Sequence, residues 1–244
     1  MNKVHRGRNQ NRSKVYALFA AQVAVGIMPV LLLLAFVFLQ LYEKKIIALI
    51  FIILMFLCNA AFFILSRRYA VINSGIHGER SLFKAVKKLR GTNYVFCNLP
   101  VRYKRGRSEL DMMIIMHTGV LIIEVKNHSG TITGSWKDEK WIQRKYYRDG
   151  KVTRQEMDNP IKQTRRQRDI VKSILNAAGE NVWIDTVLFF SSPNAKLRLE
   201  LRENDNVVSS SKELLKFIQN YKHGETLSLT HMQRIAQIMK NAEP

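Results

Sequence analysis

ELDMMIIMHTGVLIIEVKN, residues 109–127, decides how the rest of the chain is read. Two apolar runs flank His117-Thr118-Gly119, so the stretch reads as a tight β-hairpin. Side chains alternate faces along a strand, which sends Glu124 and Lys126 to one side and Val125 to the other. Whether Asp111 joins them depends on the turn. A two-residue loop at His117-Thr118 sets Asp111 opposite Glu124, and one at Thr118-Gly119 sets it opposite Lys126. A three-residue loop, with Asp111 opposite Val125, breaks the cluster. Val120 to Ile123 are apolar without interruption, as in a strand covered on both faces, so Glu124 and Lys126 stand at the end of a buried strand. Such ends are where α/β folds place ligand sites.

Upstream, Leu82, Phe83, Val86 and Leu89 recur at helical spacing from Gly78 on, Gly91 ends that helix, and Tyr94–Leu99 reads as a strand followed by a basic loop, Val101–Ser108. Downstream, Gly130–Trp136 and Trp141–Tyr147 alternate as strands, and Asp149-Gly150 turns into Lys151–Arg154. Asn159-Pro160 starts a helix, with Asn as cap and Pro in the first position, running to about Ala178. Ile184–Ser191 is an apolar strand, and Ser210–Tyr221 and Ser228–Met239 are helices. The order predicts an α/β fold with a mixed sheet flanked by helices.

The first quarter of the chain differs in kind. No charged residue occurs from Val15 to Tyr42 or from Ile46 to Ser66, and each run exceeds the ~20 apolar residues that a bilayer-crossing helix needs. Only Glu43-Lys44-Lys45 joins them, so the expectation is a helical hairpin with both flanks on one side of a membrane. Lys3, Arg6, Arg8, Arg12 and Lys14 precede the first run and Arg67-Arg68 follow the second, which by the positive-inside rule makes both termini cytoplasmic in a multi-pass cell-membrane protein. The expected organisation is a basic tail (1–14), a transmembrane hairpin (15–66), a linker (67–74), the α/β domain (75–195) and a C-terminal helical extension (196–244). Cys58 falls in a span and Cys97 in a strand, and the six histidines lack zinc-ligand spacing, so neither a disulfide framework nor a structural metal is expected.

Seven of the 39 Lys and Arg and one of the 19 Asp and Glu precede residue 66, which leaves the remainder at net +14. That excess points to a polyanion, nucleic acid or anionic lipid. The bases cluster at Arg102–Arg107, along Arg144–Arg154, and on the helix carrying Lys162, Arg165, Arg166 and Arg168. Two of these clusters adjoin the acids, so Arg105, Arg107, Lys162, Arg165 and Arg166 are the candidate phosphate contacts, with binding indifferent to sequence and sensitive to salt. Trp136, Trp141, Tyr146 and Tyr147 interleave with the middle cluster, where packing is their commoner role and stacking on unpaired bases the alternative.

Hydrolysing a phosphodiester calls for metal-held oxygens, an activated water and stabilisation of the charge that develops on the phosphoryl group. Asp111 and Glu124 suit Mg²⁺ or Mn²⁺, with the Val125 carbonyl as a further ligand. Lys126, about 7 Å along the strand from Glu124, suits water orientation or charge neutralisation.

Four segments in order, GIHGE (75–79), ELD (109–111), the strand ending EVK (124–126) and NPIKQ (159–163), carry a resemblance to the nuclease-related domain family across residues 75 to about 175. That family is a branch of the PD-(D/E)xK superfamily, with a restriction-endonuclease-like core. The resemblance implies a divalent-metal nuclease site made of Glu79, Asp111, Glu124, Lys126 and Gln163, acting on DNA ahead of RNA. Glu79 opens a helix that packs on the sheet, and Gln163, one turn into the next helix, can both donate and accept. A module that keeps the fold and binds nucleic acid or a partner without cutting is the alternative, and the spans could mediate a homo-oligomer.

Overall fold

Alternation and turn chemistry build most of the sheet. The computed structural model describes residues 2–6, 10–39, 44–147, 149–222 and 226–243. In chain order the elements are β1 (Asn2–Arg6), α1 (Gln10–Phe38), α2 (Lys45–Val86), β2 (Asn93–Tyr103), β3 (Gly106–Met116), β4 (Gly119–Lys126), β5 (Gly130–Ser135), β6 (Lys140–Tyr146), β7 (Val152–Asp158), α3 (Pro160–Ala177), β8 (Ile184–Phe190), β9 (Ala195–Glu200), β10 (Asn206–Val208), α4 (Ser211–Asn220) and α5 (Leu229–Asn241). They form two compact units, Asn9–Ile76 and a second made of Met1–Arg8 with His77–Pro244.

The first unit holds the apolar helices. Ser13–Phe38 and Lys45–Ala70 are long and apolar enough to cross a membrane, and neither apolar stretch is buried by protein. At ~1.5 Å per residue, 26 residues reach about 39 Å, more than the ~30 Å hydrocarbon layer. The helices run antiparallel: Phe36 meets Phe51, and Phe19 meets Tyr69 at the other end. Between them Gly26 faces Phe62 so closely that an added Cβ would come within 3.2 Å of the ring. A small residue at a crossing brings helix backbones together where no hydrophobic effect drives association.

The second unit is mixed α/β, with two mixed sheets flanked by helices, as the order of elements predicts. The larger sheet runs β1-β2-β3-β4-β8-β10 and the smaller β7-β6-β5-β9. β2, β3 and β4 are antiparallel neighbours, whereas β8 lies parallel to β4. Val120 and Ile122 of β4 point into a core shared with α3 and α5, while Leu121 and Ile123 point into one closed by Leu82 and Val86 of α2 and by α4. This double coverage accounts for the unbroken apolar run. A third cluster, around Trp141, Ile161 and Phe190, joins the smaller sheet to α3 and β8.

Several segments differ from the sequence reading. Asn2–Arg6, expected as part of a basic tail, pairs in parallel with Asn93–Cys97 and forms the sheet edge. His5 also bonds Glu243 at 3.0 Å. The expected basic loop at 101–108 is instead two strand ends joined by a turn at Lys104-Arg105, where Lys104 adopts φ 50°. Residues 67–74 are helical, within α2. Residues 196–244 supply β9, β10, α4 and α5 to the second unit, where Met232, Ile235 and Met239 enter the core and Glu180 holds α5 through His231 and Arg234.

Candidate active site

The register of the first hairpin decides the geometry. Met116 pairs with Gly119 and Met112 with Ile123, so the loop is His117-Thr118 and Asp111 falls opposite Glu124. Of the three turns open to the sequence, this is one of the two that gather the cluster. Asp111 Oδ2 accepts from the Val125 backbone N–H at 2.7 Å, where the β3–β4 ladder has ended. The N–H and C=O of one residue point the same way from a strand, so the Val125 carbonyl faces the Asp111 side.

Glu124 is 3% exposed, and a carboxylate there needs partners. Its Oε1 accepts from Lys126 Nζ at 2.6 Å and from Gln163 Nε2 at 2.7 Å. Its Oε2 accepts from Gln167 Nε2 at 2.7 Å. Lys126 Nζ also donates to Gln163 Oε1 at 3.0 Å, closing a triangle of Glu124, Lys126 and Gln163. An ammonium has three donors, and contacts among the described residues use two of those of Lys126. A carboxylate offers about four acceptor sites. Glu124 fills three of these with the bonds above.

Gln163 is placed by the Asn-Pro pair that precedes it. Asn159 caps α3, its side-chain oxygen accepting from Ile161 N at 2.9 Å, while its Nδ2 donates to Ser135 O at 3.1 Å and Asp138 O at 2.7 Å. One side chain therefore starts the helix and ties it to the β5–β6 turn. Pro160 occupies the first helical position, where a missing N–H costs nothing.

Gln167 was not singled out from the sequence. It stands one turn beyond Gln163 on the same helix face, is 0% exposed, and spans the hairpin by donating to both Glu124 Oε2 and the Glu109 carbonyl, the latter at 3.0 Å. The i, i+4 spacing of two glutamines is the signal that could have found it. Its Oε1 is buried without a hydrogen-bond partner among the described residues, so an acceptor stands unfilled beside the acids.

Gly78 explains the second glycine of GIHGE. A Cβ there would meet Ser191 Oγ at 2.9 Å and Val125 Cγ1 at 3.0 Å, so α2 lies directly against the ends of β4 and β8. Glu79 is the next residue along this helix; its side chain, like that of His77, lies outside the described residues. His128, in the β4–β5 connection, is half-buried, and its pKa falls below the ordinary imidazole value, first by burial and then by the Lys126 charge.

Among the described residues no three His, Cys, Asp or Glu side chains converge. The donor set of Asp111, Glu124 and the Val125 carbonyl is all oxygen, which fits a hard divalent cation completed by water and substrate. The basic residues divide. Arg105, Arg107 and Arg166 are exposed, Lys162 pairs with Glu139, and Arg165 holds Asp205 through two bonds of 2.7 and 3.0 Å. Lys162, Arg165 and Arg166 border a shallow cleft of about 430 Å³ beside Tyr103 and Gly106. A larger cleft of about 880 Å³ opens at the other end of β8, around Trp183 and Asp185, away from the acids.

A family model described as nuclease-related domain matches residues 74–191. All the residues of the hydrogen-bonded cluster fall inside that span. An uncharacterized protein of Bacillus anthracis is 35% identical over 71 residues, covering 28% of this chain and 34% of that protein. The chain thus matches about a third of the length of that curated relative. No solved structure matches significantly.

Proposed function

Since residues 74–191 form a nuclease-related domain, we propose that the protein is a divalent-metal-dependent nuclease, hydrolysing phosphodiester bonds in DNA ahead of RNA, held at the cytoplasmic face of a membrane. The observation that carries this is the buried triangle of Glu124, Lys126 and Gln163 beside Asp111. Two glutamine amides from a neighbouring helix fix the orientation of that one carboxylate, as a positioned metal ligand requires.

Asp111, Glu124 and the Val125 carbonyl would hold Mg²⁺ or Mn²⁺, with Glu79 as a further contact. A bound divalent cation neutralises phosphoryl oxygens and lowers the pKa of water. The chain supplies the rest. Lys126, fixed by Glu124 and Gln163, points its remaining N–H at the attacking water or at a phosphoryl oxygen, stabilising charge as it develops. Gln163 keeps one N–H free for the same purpose. Arg105, Arg107 and Arg166 contact backbone phosphates, with Lys162 and Arg165 joining them if their carboxylate partners exchange for phosphate.

Membrane attachment is supported by the two apolar helices and by β1. The strand before the first helix pairs with the strand after the second, as an even number of crossings requires. The bases flanking both helices support a cytoplasmic orientation.

One observation favours a second reading, a domain that binds without cutting: three of the acceptor sites of Glu124 are already taken. The test is to incubate the full chain in detergent micelles with single-stranded, linear duplex and plasmid DNA and with RNA, in Mg²⁺, Mn²⁺ or chelator. Metal-dependent cleavage lost in Lys126→Ala and Asp111→Ala supports the nuclease. Binding without cleavage in every metal supports the silent module, and cleavage that survives both substitutions removes the proposed site.

A further inference from the structure

The four aromatic residues interleaved with bases in the smaller sheet have separate fates. Trp141 is fully buried and lies on Gly134, where a Cβ would come 2.2 Å from its ring. Trp136 is covered by the Arg202 guanidinium, 3.5 Å from the ring centroid. Tyr146 and Tyr147 remain 67% and 50% exposed at the tip of the β6–β7 hairpin. Half or more of each residue stands in solvent, so packing does not account for the whole of either ring.

The hairpin is also continuous with the site. Trp141, Gln143 and Lys145 share one face of β6 by alternation, the face turned toward the β4–β5 connection. Gln143 is buried there and donates to Ser129 O at 2.7 Å. The stem of Lys145 lies on Gly130, whose φ of +86° and 2.3 Å clearance from Arg144 O admit no side chain. His128, two residues before Gly130, is half-buried, and burial together with the charges of Lys126 and Lys145 lowers its pKa. A basic path therefore leaves Lys126, passes His128 and Lys145, and ends at the hairpin tip, where Tyr147 follows the last residue of β6. Residues 140–158 carry six Lys and Arg against three Asp and Glu, which suits a polyanion.

We propose that the β6–β7 hairpin guides a single-stranded polynucleotide into the site, Lys145 holding a backbone phosphate and Tyr147 stacking on an unpaired base. The substrate class of the site is then a single strand, or the flap or frayed end of a duplex. Bases within a duplex already stack on one another and have no face to offer a tyrosine, whereas every unpaired base does. This rests on the nuclease reading and adds the substrate class to it.

The test uses the full chain in detergent micelles with chelator present, so that binding is read without cleavage. Fluorescence anisotropy compares a labelled oligothymidylate, an abasic strand of the same length and a blunt duplex. Tyr147→Ala should weaken oligothymidylate binding about tenfold, with Tyr147→Phe near wild type and duplex binding unchanged. Lys145→Ala should weaken both the thymidylate and the abasic strand and reduce the salt dependence. Tyr146→Ala, on the opposite face of β6, should have little effect. The guide is overturned if Tyr147→Ala binds the strand like wild type, if it loses strand and duplex in proportion, or if the abasic strand binds wild type as tightly as thymidylate. It is also overturned if Tyr147→Ala leaves strand binding intact but releases phosphatidylserine vesicles, which would assign the hairpin to the membrane surface. Should wild type bind no polynucleotide with chelator and cleave none with Mg²⁺ or Mn²⁺, the nuclease reading falls as well. Should wild type bind and cleave while Tyr147→Ala matches it, only the guide falls.

Discussion

The β3–β4 and β6–β7 hairpins are both antiparallel pairs that carry charged residues, and they end in opposite environments. β4 is covered on both faces, so its terminal charges, Glu124 and Lys126, are desolvated and must be matched bond by bond. β6 is covered on one face only, and its tip leaves Tyr146, Tyr147 and Val152 in solvent. Coverage, more than residue type, separates charges that must be matched bond by bond from side chains left in solvent.

The most severe way to break the buried hairpin is to remove its charges. Lys126→Ala or Asp111→Asn should lower the initial cleavage rate by about a hundredfold to a thousandfold or more, since groups aimed at developing charge carry such factors. Binding of the same oligonucleotide should persist, and its loss instead would mean that these residues serve affinity. In the exposed hairpin's sheet, Gly134→Ala forces a methyl into the Trp141 ring, 2.2 Å from its nearest atom. Overpacking of this kind costs about 1–3 kcal/mol or more, visible as a lower denaturation midpoint followed by tryptophan fluorescence.

Gln167→Leu sharpens the comparison at the buried end. It strips Glu124 Oε2 and the Glu109 carbonyl of their shared donor, at a cost of about 1–3 kcal/mol for the unsatisfied acceptors. Urea unfolding should report that cost, and the cleavage rate should drop about tenfold if the orientation of Glu124 matters to chemistry. The smallest effect lies between the hairpins. Burial and the Lys126 charge depress the pKa of His128, so the unfolded chain binds a proton that the folded chain refuses. The stability this residue contributes is complete above the ordinary imidazole value near 6.5 and is lost as pH falls through the lowered folded value. His128→Gln should flatten the unfolding midpoint across that window in metal-free buffer.

Local chemistry made much of the site legible. The apolar run of β4 and the Asn-Pro before Gln163 each act over a few residues and form the elements they were read to form, while the turn, open among three lengths, took its register only in the structure. Long-range pairing was less visible. β1 is NKVHR, polar and short, and its partner β2 lies some ninety residues away across two apolar helices. Ala195–Glu200 does alternate, as AKLRLE, but nothing in that stretch announces that it will join β5. The turn at Lys104-Arg105 was hidden because it holds no Gly, Pro, Asn or Asp, and Lys104 takes the positive φ itself. Gln167 was missed because a glutamine on a helix is usually solvated; only its contact with a buried carboxylate gives it a role.

The central claim is that the end of the buried hairpin is a divalent-metal site for phosphodiester hydrolysis. Titrating Mn²⁺ into the full chain, with free ion followed by its paramagnetic resonance signal, addresses it directly when wild type is compared with Asp111→Asn and Glu124→Gln. Wild type should take up the ion and both variants should lose most of that uptake. Uptake that is absent in wild type, or unchanged in both variants, would contradict the claim.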